Sequence, residues 1–540
     1  MHRLLALALC AFTLTAQSEL LPAQSHPKLV VVIVVDQMRA DYLDRFAPYE
    51  SGGLHFLASE GADFVNANYQ HSPTETCVGH AVLLSGRYPA HTGIVANEWY
   101  DRATGKMVYC VDDSSAPLVG GRGNPVSPRN LIGENFSDWL QTSYPGARVY
   151  SISLKDRAAI LLGGHHPQGA FWYSHETGQF LTSRYYAEQL PQWVNDFNDA
   201  RPADSYAGKP WTPLLDAGSP AYHRHEVAGQ FPHAMGAEAG PKLYNSIYAS
   251  PFGDELLERF AEATITANHL GQKDGRQAAP DLLDISFSSN DAVGHAYGPD
   301  SPEIADEQIR LDRTLGRLAA FIDSKVGKQN VLWALSADHG SEPEPEAERD
   351  LNHNAAAQRL PLSEALNSAQ RQLDVIFHVA DDTRWFVAKT DGMLYFDIAE
   401  LERHHIELTT AREALAEQVH NVPGMEGFYD PSRLAEGSGW FGSVLKNSYF
   451  PDRSGDVYYL TKEWTYFSSN PTGTSHGDPW PYDTHVPFVI AGWRVRPQQI
   501  TVSVQVSDLA PTLADLVGVH WPRSETIDGR SQRDRLALGK

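Results

Sequence analysis

From Leu29 to Val35 the chain reads LVVVIVV, an unbroken apolar run that stops at an acid, Asp36. A run with no polar alternation buries both of its faces, so it predicts a central strand of a parallel sheet, and its β-branched residues favour extended backbone. The carboxylate that ends it then lies at the C-terminal edge of the sheet, where open α/β sheets bind ligands. Three further segments share the design: DLLDISFSSND, ending at Asp291; NVLWALSADHG, with Asp338 and His339 at its end; and THVPFVIAG near residue 490. The first two again put a ligand-type side chain where the apolar run stops.

Between Glu303 and Val326, the residues Ile304, Ile309, Leu315, Leu318 and Ile322 recur at near-helical spacing among charges, which predicts a helix. SDLAPTLADLVGV predicts another near the C-terminus. Strands alternating with helices predict an α/β fold: a doubly wound, mostly parallel sheet with helices on both faces. Two stretches break the alternation, about 163–248 and about 361–472. Both read as cap insertions in a single catalytic domain spanning 27–540, and SEPEPEAERD reads as a short solvated acidic loop.

Charge narrows the partners. Forty-three Lys and Arg against 67 Asp and Glu give a formal charge of −24. Nucleic-acid and anionic-membrane binders carry an excess of basic residues, so this balance argues against both, and an anionic substrate has to be held by local charge. The opening MHRLLALALCAFTLTAQS has a basic start at Arg3, an apolar run from Leu4 to Leu14 and small or polar residues around Ala16. That is the layout of a signal peptide over about residues 1–16, and the run is far short of the roughly 20 residues of a membrane helix. It predicts a periplasmic or secreted protein without stable membrane insertion. Cys10 leaves with such a signal; Cys77 and Cys110 remain, and the sequence leaves open whether they pair.

Asp291 and His295 stand four apart in DAVGH, which on a helix projects them to one side. Asp338 and His339 are adjacent at a strand end, and His476 lies in GTSHGD, where glycine permits close backbone approach. Each feature alone is commonplace. Together, Asp36, Asp291, His295, Asp338, His339 and His476 offer three carboxylates and three imidazoles, all but His476 at or near predicted strand ends. Mixed nitrogen and oxygen ligands suit Zn²⁺ better than Mg²⁺. Six are enough for two Zn²⁺ at three apiece, each with an open position for chemistry.

VVVIVVDQMRADYL, SPTETCVGHAVLLSGRYPAHTG (Ser72–Gly93), DAVGHAYGP, SADHG, GTSHGDP and YDTHVPFVIAG occur in an order that resembles the alkaline phosphatase superfamily. They are most like the bacterial phosphate-irrepressible alkaline phosphatases, which use a threonine nucleophile, and the resemblance spans about Leu29 to Val517. It implies that one zinc is held by Asp36, Asp338 and His339 and also binds the oxygen of Thr76, the nucleophile. The other is implied to be held by Asp291, His295 and His476. It further implies that Asn97 hydrogen-bonds one phosphoryl oxygen and that Lys155 and Arg157, from SLKDR, contact the others.

Zinc lowers the pKa of the threonine hydroxyl, so no histidine base is required. The apolar stretch after Gly79 and His80 puts Thr76 at a helix N-terminus, where free N–H groups favour a phosphoryl anion. The implied activity is hydrolysis of small-molecule phosphate monoesters through a covalent phosphothreonine. A phosphodiesterase or nucleotide pyrophosphatase of the same superfamily is the alternative. Lys155 and Arg157 argue against it, because a monoester carries about one more negative charge than a diester and rewards extra cations. A catalytically silent binding protein on this fold is opposed by the retention of all six ligands and the threonine.

Cys77 also raises the sulfatases, whose C-x-P-x-R precedes a stretch similar to LLSGRYP, Leu83 to Pro89. Their modified cysteine lies ten residues before the glycine, and that position here is Thr76. Cys77 is one place out of register, Val78 and His80 replace the expected Pro and Arg, and Cys77 reads as a packed small side chain.

Overall fold

Strand β1, Leu29–Val35, is completely buried along its whole length. Each such aliphatic side chain contributes roughly 1.5–3 kcal/mol relative to exposure. The computed structural model describes residues 26–539 except 217, 223–230, 274, 276–277, 381–382 and 437–438. The expected signal peptide at 1–16, with Cys10, lies outside the described residues. Among the described residues no helix is long and apolar enough to cross a membrane.

The principal sheet continues with β2 (Ala62–Phe64), β3 (Leu118–Val119), β4 (Val149–Ser153), β5 (Gly169–Tyr173), β6 (Phe180–Ser183), β7 (Asp281–Phe287) and β8 (Val331–Ser336). A second sheet follows in the chain, made of β9 (Phe386–Thr390), β10 (Met393–Phe396), β11 (Met425–Tyr429) and β12 (Val457–Thr461). The principal sheet is then completed by β13 (Phe488–Gly492) and β14 (Gln498–Ile500). Its spatial order is β14-β2-β13-β8-β1-β7-β4-β5-β6-β3.

β1 runs parallel to β7, with Leu29 opposite Asp281 and Val35 opposite Phe287, and parallel to β8, with Leu29 opposite Val331. β4 continues the parallel set beside β7, and β5 beside β4. The C-terminal ends of β8, β1 and β7 therefore meet along one edge. THVPFVIAG departs from expectation, because β13 runs antiparallel to β8 with Leu332 opposite Gly492. An apolar run reports that both faces are covered; it carries no information on strand direction.

The helices that shape the site are α1 (Thr76–Ser85), α2 (Asp156–Gly163), α3 (Pro251–Asn268), α4 (Ser289–Tyr297), α5 (Pro302–Val326) and α6 (Leu509–Val517). The expected helix after the second strand is α5, where Ser301 caps the first turn by accepting the Ile304 N–H and Pro302 occupies the first turn. The stretch 163–248 supplies β5 and β6 to the principal sheet, so in part it extends that sheet. The stretch 361–472 carries the second sheet, antiparallel and ordered β9-β10-β12-β11, over its own apolar cluster around Trp385, Phe396 and Leu415.

The acidic loop SEPEPEAERD is not solvated: Glu342, Glu344 and Glu348 are buried. Glu344 Oε1 accepts the Gly473 N–H at 2.7 Å, the Glu342 N–H donates to Ser475 O at 3.1 Å, and the Thr474 hydroxyl donates to Glu342 O at 2.8 Å. Charge density in the sequence signalled solvent, but these backbone partners make the loop a clasp for the segment that carries His476.

Candidate active site

Three carboxylates leave the sheet where β1, β7 and β8 end. Asp36 directly follows β1, and its N–H continues the ladder to Phe287 O at 2.9 Å. Asp291 stands in the first turn of α4, and Asp338 lies just beyond β8. One face of α4 carries Asp291 and His295, with His295 Nε2 3.1 Å from Asp291 Oδ1. His476 Nε2 is 3.8 Å from the same oxygen. His339 Nε2 lies 3.6 Å from Asp36 Oδ1 and 3.4 Å from Asp338 Oδ2, and its ring stacks on that of His476 with centroids 3.5 Å apart.

The six expected ligands thus meet in one place. Two groupings have ligand atoms close enough to share an ion: Asp291, His295 and His476; and Asp36, Asp291 and His339. The second grouping contains Asp291 where the resemblance implies Asp338. Asp338 Oδ1 instead accepts the N–H groups of Gln37 and His339, each at 3.1 Å, and its Oδ2 is 3.2 Å from His80 Nδ1.

The donor chemistry fits a metal. In all three imidazoles Nδ1 faces a backbone carbonyl: Thr474 O for His295 (2.9 Å), Gly340 O for His339 (2.9 Å) and Thr74 O for His476 (2.8 Å). A carbonyl only accepts, so Nδ1 carries the proton and Nε2 turns a lone pair toward the carboxylates. Asp36 Oδ1 is buried without a hydrogen bond, while Asp36 Oδ2 meets Lys155 Nζ and Asp338 Oδ2 meets the rings of His80 and His339. Burial, then Asp291 and Asp338, push the Asp36 carboxyl well above its ordinary range. Burial, then His339 and His295, hold the His476 imidazole well below its own. Crowded carboxylates and unprotonated imidazole nitrogens around one space are what a divalent cation stabilises.

Lys155 adds a fixed positive charge, its Nζ 2.6 Å from Oδ2 of both Asp36 and Asp291. Burial opposes that charge, but Asp291 and Asp36 outweigh it and hold the ammonium above its ordinary range.

Thr76 opens α1, after Glu75 in extended conformation, and is 1% exposed. Its Oγ1 lies 3.5 Å from His339 Nε2 and 3.4 Å from Arg157 Nη2. The hydroxyl therefore stands between the ligand cluster and a guanidinium, at a helix end whose free N–H groups favour an anion. Arg157 sits in the first turn of α2, with Nη1 3.5 Å from the Tyr109 hydroxyl, which itself donates to Asp156 Oδ1 at 2.7 Å. Asn97 Oδ1 accepts the Cys77 N–H at 2.9 Å, which leaves its amide NH₂ to donate.

Several residues of the site carried no sequence signal beyond adjacency to Asp36 or Thr76. Gln37, in left-handed conformation at φ 65°, donates its N–H to Asp338 and its Nε2–H to Asp291 Oδ1 at 3.0 Å, so it ties ligands on both sides of the cluster together. Gly294 makes room for it; a Cβ there would lie 1.8 Å from Gln37 Oε1. His80 is fully buried between Thr76 O (2.8 Å), Ser286 Oγ (2.9 Å) and Asp338. Cys77, read as a packed small side chain, is instead joined to Cys110 by a disulfide. The partner lies 33 residues away, and only the intervening hairpin returns it to α1.

The sequence matches the type I phosphodiesterase / nucleotide pyrophosphatase family over residues 30–486. Alkaline phosphatase PhoV of Synechococcus elongatus is 34% identical over 518 residues, 92% of this chain and 91% of that one. Alkaline phosphatase PafA of Elizabethkingia meningoseptica is 32% identical over 93% of each chain. A crystal structure of wild-type PafA is similar with a TM-score of 0.85 at 32% identity, covering 95% of this chain and 99% of that chain. Murine ectonucleotide pyrophosphatase / phosphodiesterase 5 shares the fold, with a TM-score of 0.53 at 15% identity over 94% of this chain and 100% of that chain.

Proposed function

The chain belongs to the type I phosphodiesterase / nucleotide pyrophosphatase family, in the alkaline phosphatase superfamily, and we propose that it is an alkaline phosphatase that hydrolyses small-molecule phosphate monoesters through a covalent phosphothreonine at Thr76. The observation that carries this reading is the position of the Thr76 hydroxyl, 3.5 Å from His339 Nε2 and 3.4 Å from Arg157 Nη2 at the start of α1. The relatives named alkaline phosphatases, similar over nearly their whole length, support the reaction class.

Asp291, His295 and His476 would hold one Zn²⁺, and Asp36, Asp338 and His339, with Thr76, a second. The Nε2 lone pairs turned toward the carboxylates support both sets, and the buried Oδ1 of Asp36, without a hydrogen bond, supports the second. When bound, zinc supplies Lewis acidity, which lowers the pKa of the threonine hydroxyl and stabilises charge on the leaving oxygen.

The rest of the chemistry belongs to the chain. Thr76 Oγ1 gives up its proton to solvent and attacks phosphorus in line, forming the phosphothreonine as the bond from phosphorus to the ester oxygen breaks and the leaving oxygen takes a proton from water. N–H groups of the first turn of α1 other than that of Cys77, which donates to Asn97, together with the Asn97 amide and the Arg157 guanidinium, bind the phosphoryl oxygens, with Lys155 adding positive charge. Water then attacks the phosphothreonine, returning the hydroxyl and releasing phosphate. His80 and Gln37 hold Asp338 in place throughout, and the carbonyls of Gly340, Thr74 and Thr474 fix the three imidazoles.

The family also contains phosphodiesterases, and Lys155 and Arg157 favour monoesters because the extra phosphoryl charge rewards two more cations. Export to an oxidising compartment is supported by the residue pattern at 1–16 and by the Cys77–Cys110 disulfide. A matched comparison of kcat/KM for an aryl phosphate monoester, a bis-aryl diester and an aryl sulfate, with zinc present, tests the substrate class. The monoester is expected to lead, and a clear preference for the diester overturns the reading.

A further inference from the structure

We infer that the Cys77–Cys110 disulfide is a positioning device: it docks the hairpin that bears Asn97 onto the nucleophile helix, so that Asn97 and Thr76 address the same phosphoryl group. The inference rests on the proposed function in naming that group.

The bond joins two short stretches that carry the anion-binding residues. Cys77 immediately follows Thr76 at the start of α1. Cys110 ends an antiparallel hairpin, Glu98–Asp101 with Lys106–Tyr109, in which Glu98 pairs with Tyr109. Asn97 opens the same hairpin, and the Cys110 N–H donates to Asn97 O at 2.9 Å, so the two residues form its base. From the helix side, the Cys77 N–H donates to Asn97 Oδ1 at 2.9 Å, and the Asn97 N–H donates to Glu75 Oε2. Tyr109, beside Cys110, meets both Arg157 and Asp156.

Beyond its base the hairpin rests on Trp99, which lies under the Arg453 guanidinium, and on Tyr100, whose ring meets Tyr395, with Arg102 of its turn paired to Asp456. Of its strand residues only Trp99 is buried, while Glu98, Lys106 and Met107 are exposed. A two-stranded hairpin is marginal by itself. The two sulfurs, by contrast, are completely buried in an apolar cluster with Ala81, Ile94 and Val95. The covalent bridge therefore sits where it fixes the distance between the Asn97 amide and the Thr76 hydroxyl. It forms when the two thiols each give up a hydrogen to a disulfide oxidant, which leaves as a dithiol.

A double-mutant cycle on the zinc-loaded enzyme tests this. Asn97→Ala is measured with the disulfide intact and in Cys77→Ala/Cys110→Ala, reading inorganic phosphate affinity and kcat/KM for an aryl monoester. With the disulfide, loss of the Asn97 donor is expected to lower kcat/KM by about a hundredfold. Without it, the same substitution is expected to cost less than about threefold, because Asn97 is no longer held in register. A full Asn97 effect in the cysteine-free protein overturns the inference. Cys77→Val/Cys110→Ala, with circular dichroism and zinc content, separates positioning from unfolding. Should both cysteine-free proteins fail to fold, reduction and reoxidation of folded wild type take their place: phosphate affinity is expected to fall and recover, and affinity unchanged with both thiols labelled overturns the inference. Phosphate affinity does not depend on which ester is hydrolysed, so a diester preference overturns the proposed substrate and leaves this readout intact.

Discussion

A methyl group added at Gly79 would lie 2.0 Å from the carbonyl oxygen of Asp338. Helix α1 thus presses its backbone directly on the strand end that supplies a metal ligand, and the glycine is what allows the approach. Gly79→Ala has to move either the nucleophile helix or Asp338, since the obstacle is backbone. Overpacking of this kind costs roughly 1–3 kcal/mol or more. The variant is expected to melt at a lower temperature and to bind zinc more weakly, as read by thermal unfolding and metal analysis. Wild-type values for both would contradict the packing argument.

Gln37 donates to Asp291 through its side chain and to Asp338 through its backbone. Gln37→Ala removes the first of these and leaves the second. Partners that orient metal ligands are typically worth 10- to 100-fold in metal affinity or activity. A loss on about that scale is expected in competition with a chromophoric chelator, with Gln37→Glu failing to rescue because it adds a fourth carboxylate to the cluster. Unchanged zinc affinity in Gln37→Ala would show that the bridge is dispensable.

Arg157 approaches Thr76 Oγ1 to 3.4 Å. Arg157→Ala removes a cation from the phosphoryl oxygens and is expected to lower monoester kcat/KM by about 10²–10³. A diester, with less charge to neutralise, is expected to lose much less, so the monoester-to-diester ratio falls. Equal losses on both substrates would mean that Arg157 serves the fold or the metal instead of discriminating charge.

Removal of metal by a chelator is expected to abolish activity and to lower the melting temperature, because a ligand that binds only the folded state stabilises it. The carboxylates of Asp36, Asp291 and Asp338 then face one another with Lys155 as their compensating cation. Zinc is expected to restore both properties. Full activity after exhaustive chelation, with metal analysis showing none bound, would contradict the account.

Much of this site is legible in the sequence because its ligands follow strand ends. β1 and β8 are apolar runs, β7 is a patchier one that also carries Asp281, Asp284 and Ser286, and this pattern places Asp36, Asp291 and Asp338 along one sheet edge. The Asp291–His295 spacing places both on one helix face in the same way. Gln37 and His80 are not legible, since their roles depend on a left-handed backbone and on a contact between α1 and β8. The acidic loop misleads, because the amides and carbonyls that bury Glu342 and Glu344 come from residues 473–475, far along the chain. Strand direction fails at β13, where burial and direction are independent properties. The pairing of Cys77 with Cys110 depends on the hairpin between Asn97 and Cys110, whose path no residue pattern reveals.

Thr76→Ala is expected to keep its zinc and lose activity by orders of magnitude, but a defective enzyme does not by itself prove a covalent intermediate. The stereochemical course at phosphorus does so without requiring the intermediate to accumulate. Each in-line displacement inverts phosphorus, so transfer to Thr76 followed by attack of water inverts it twice. Hydrolysis of an isotopically chiral phosphate monoester by the zinc-loaded enzyme is therefore predicted to proceed with net retention, and net inversion would contradict the phosphothreonine account.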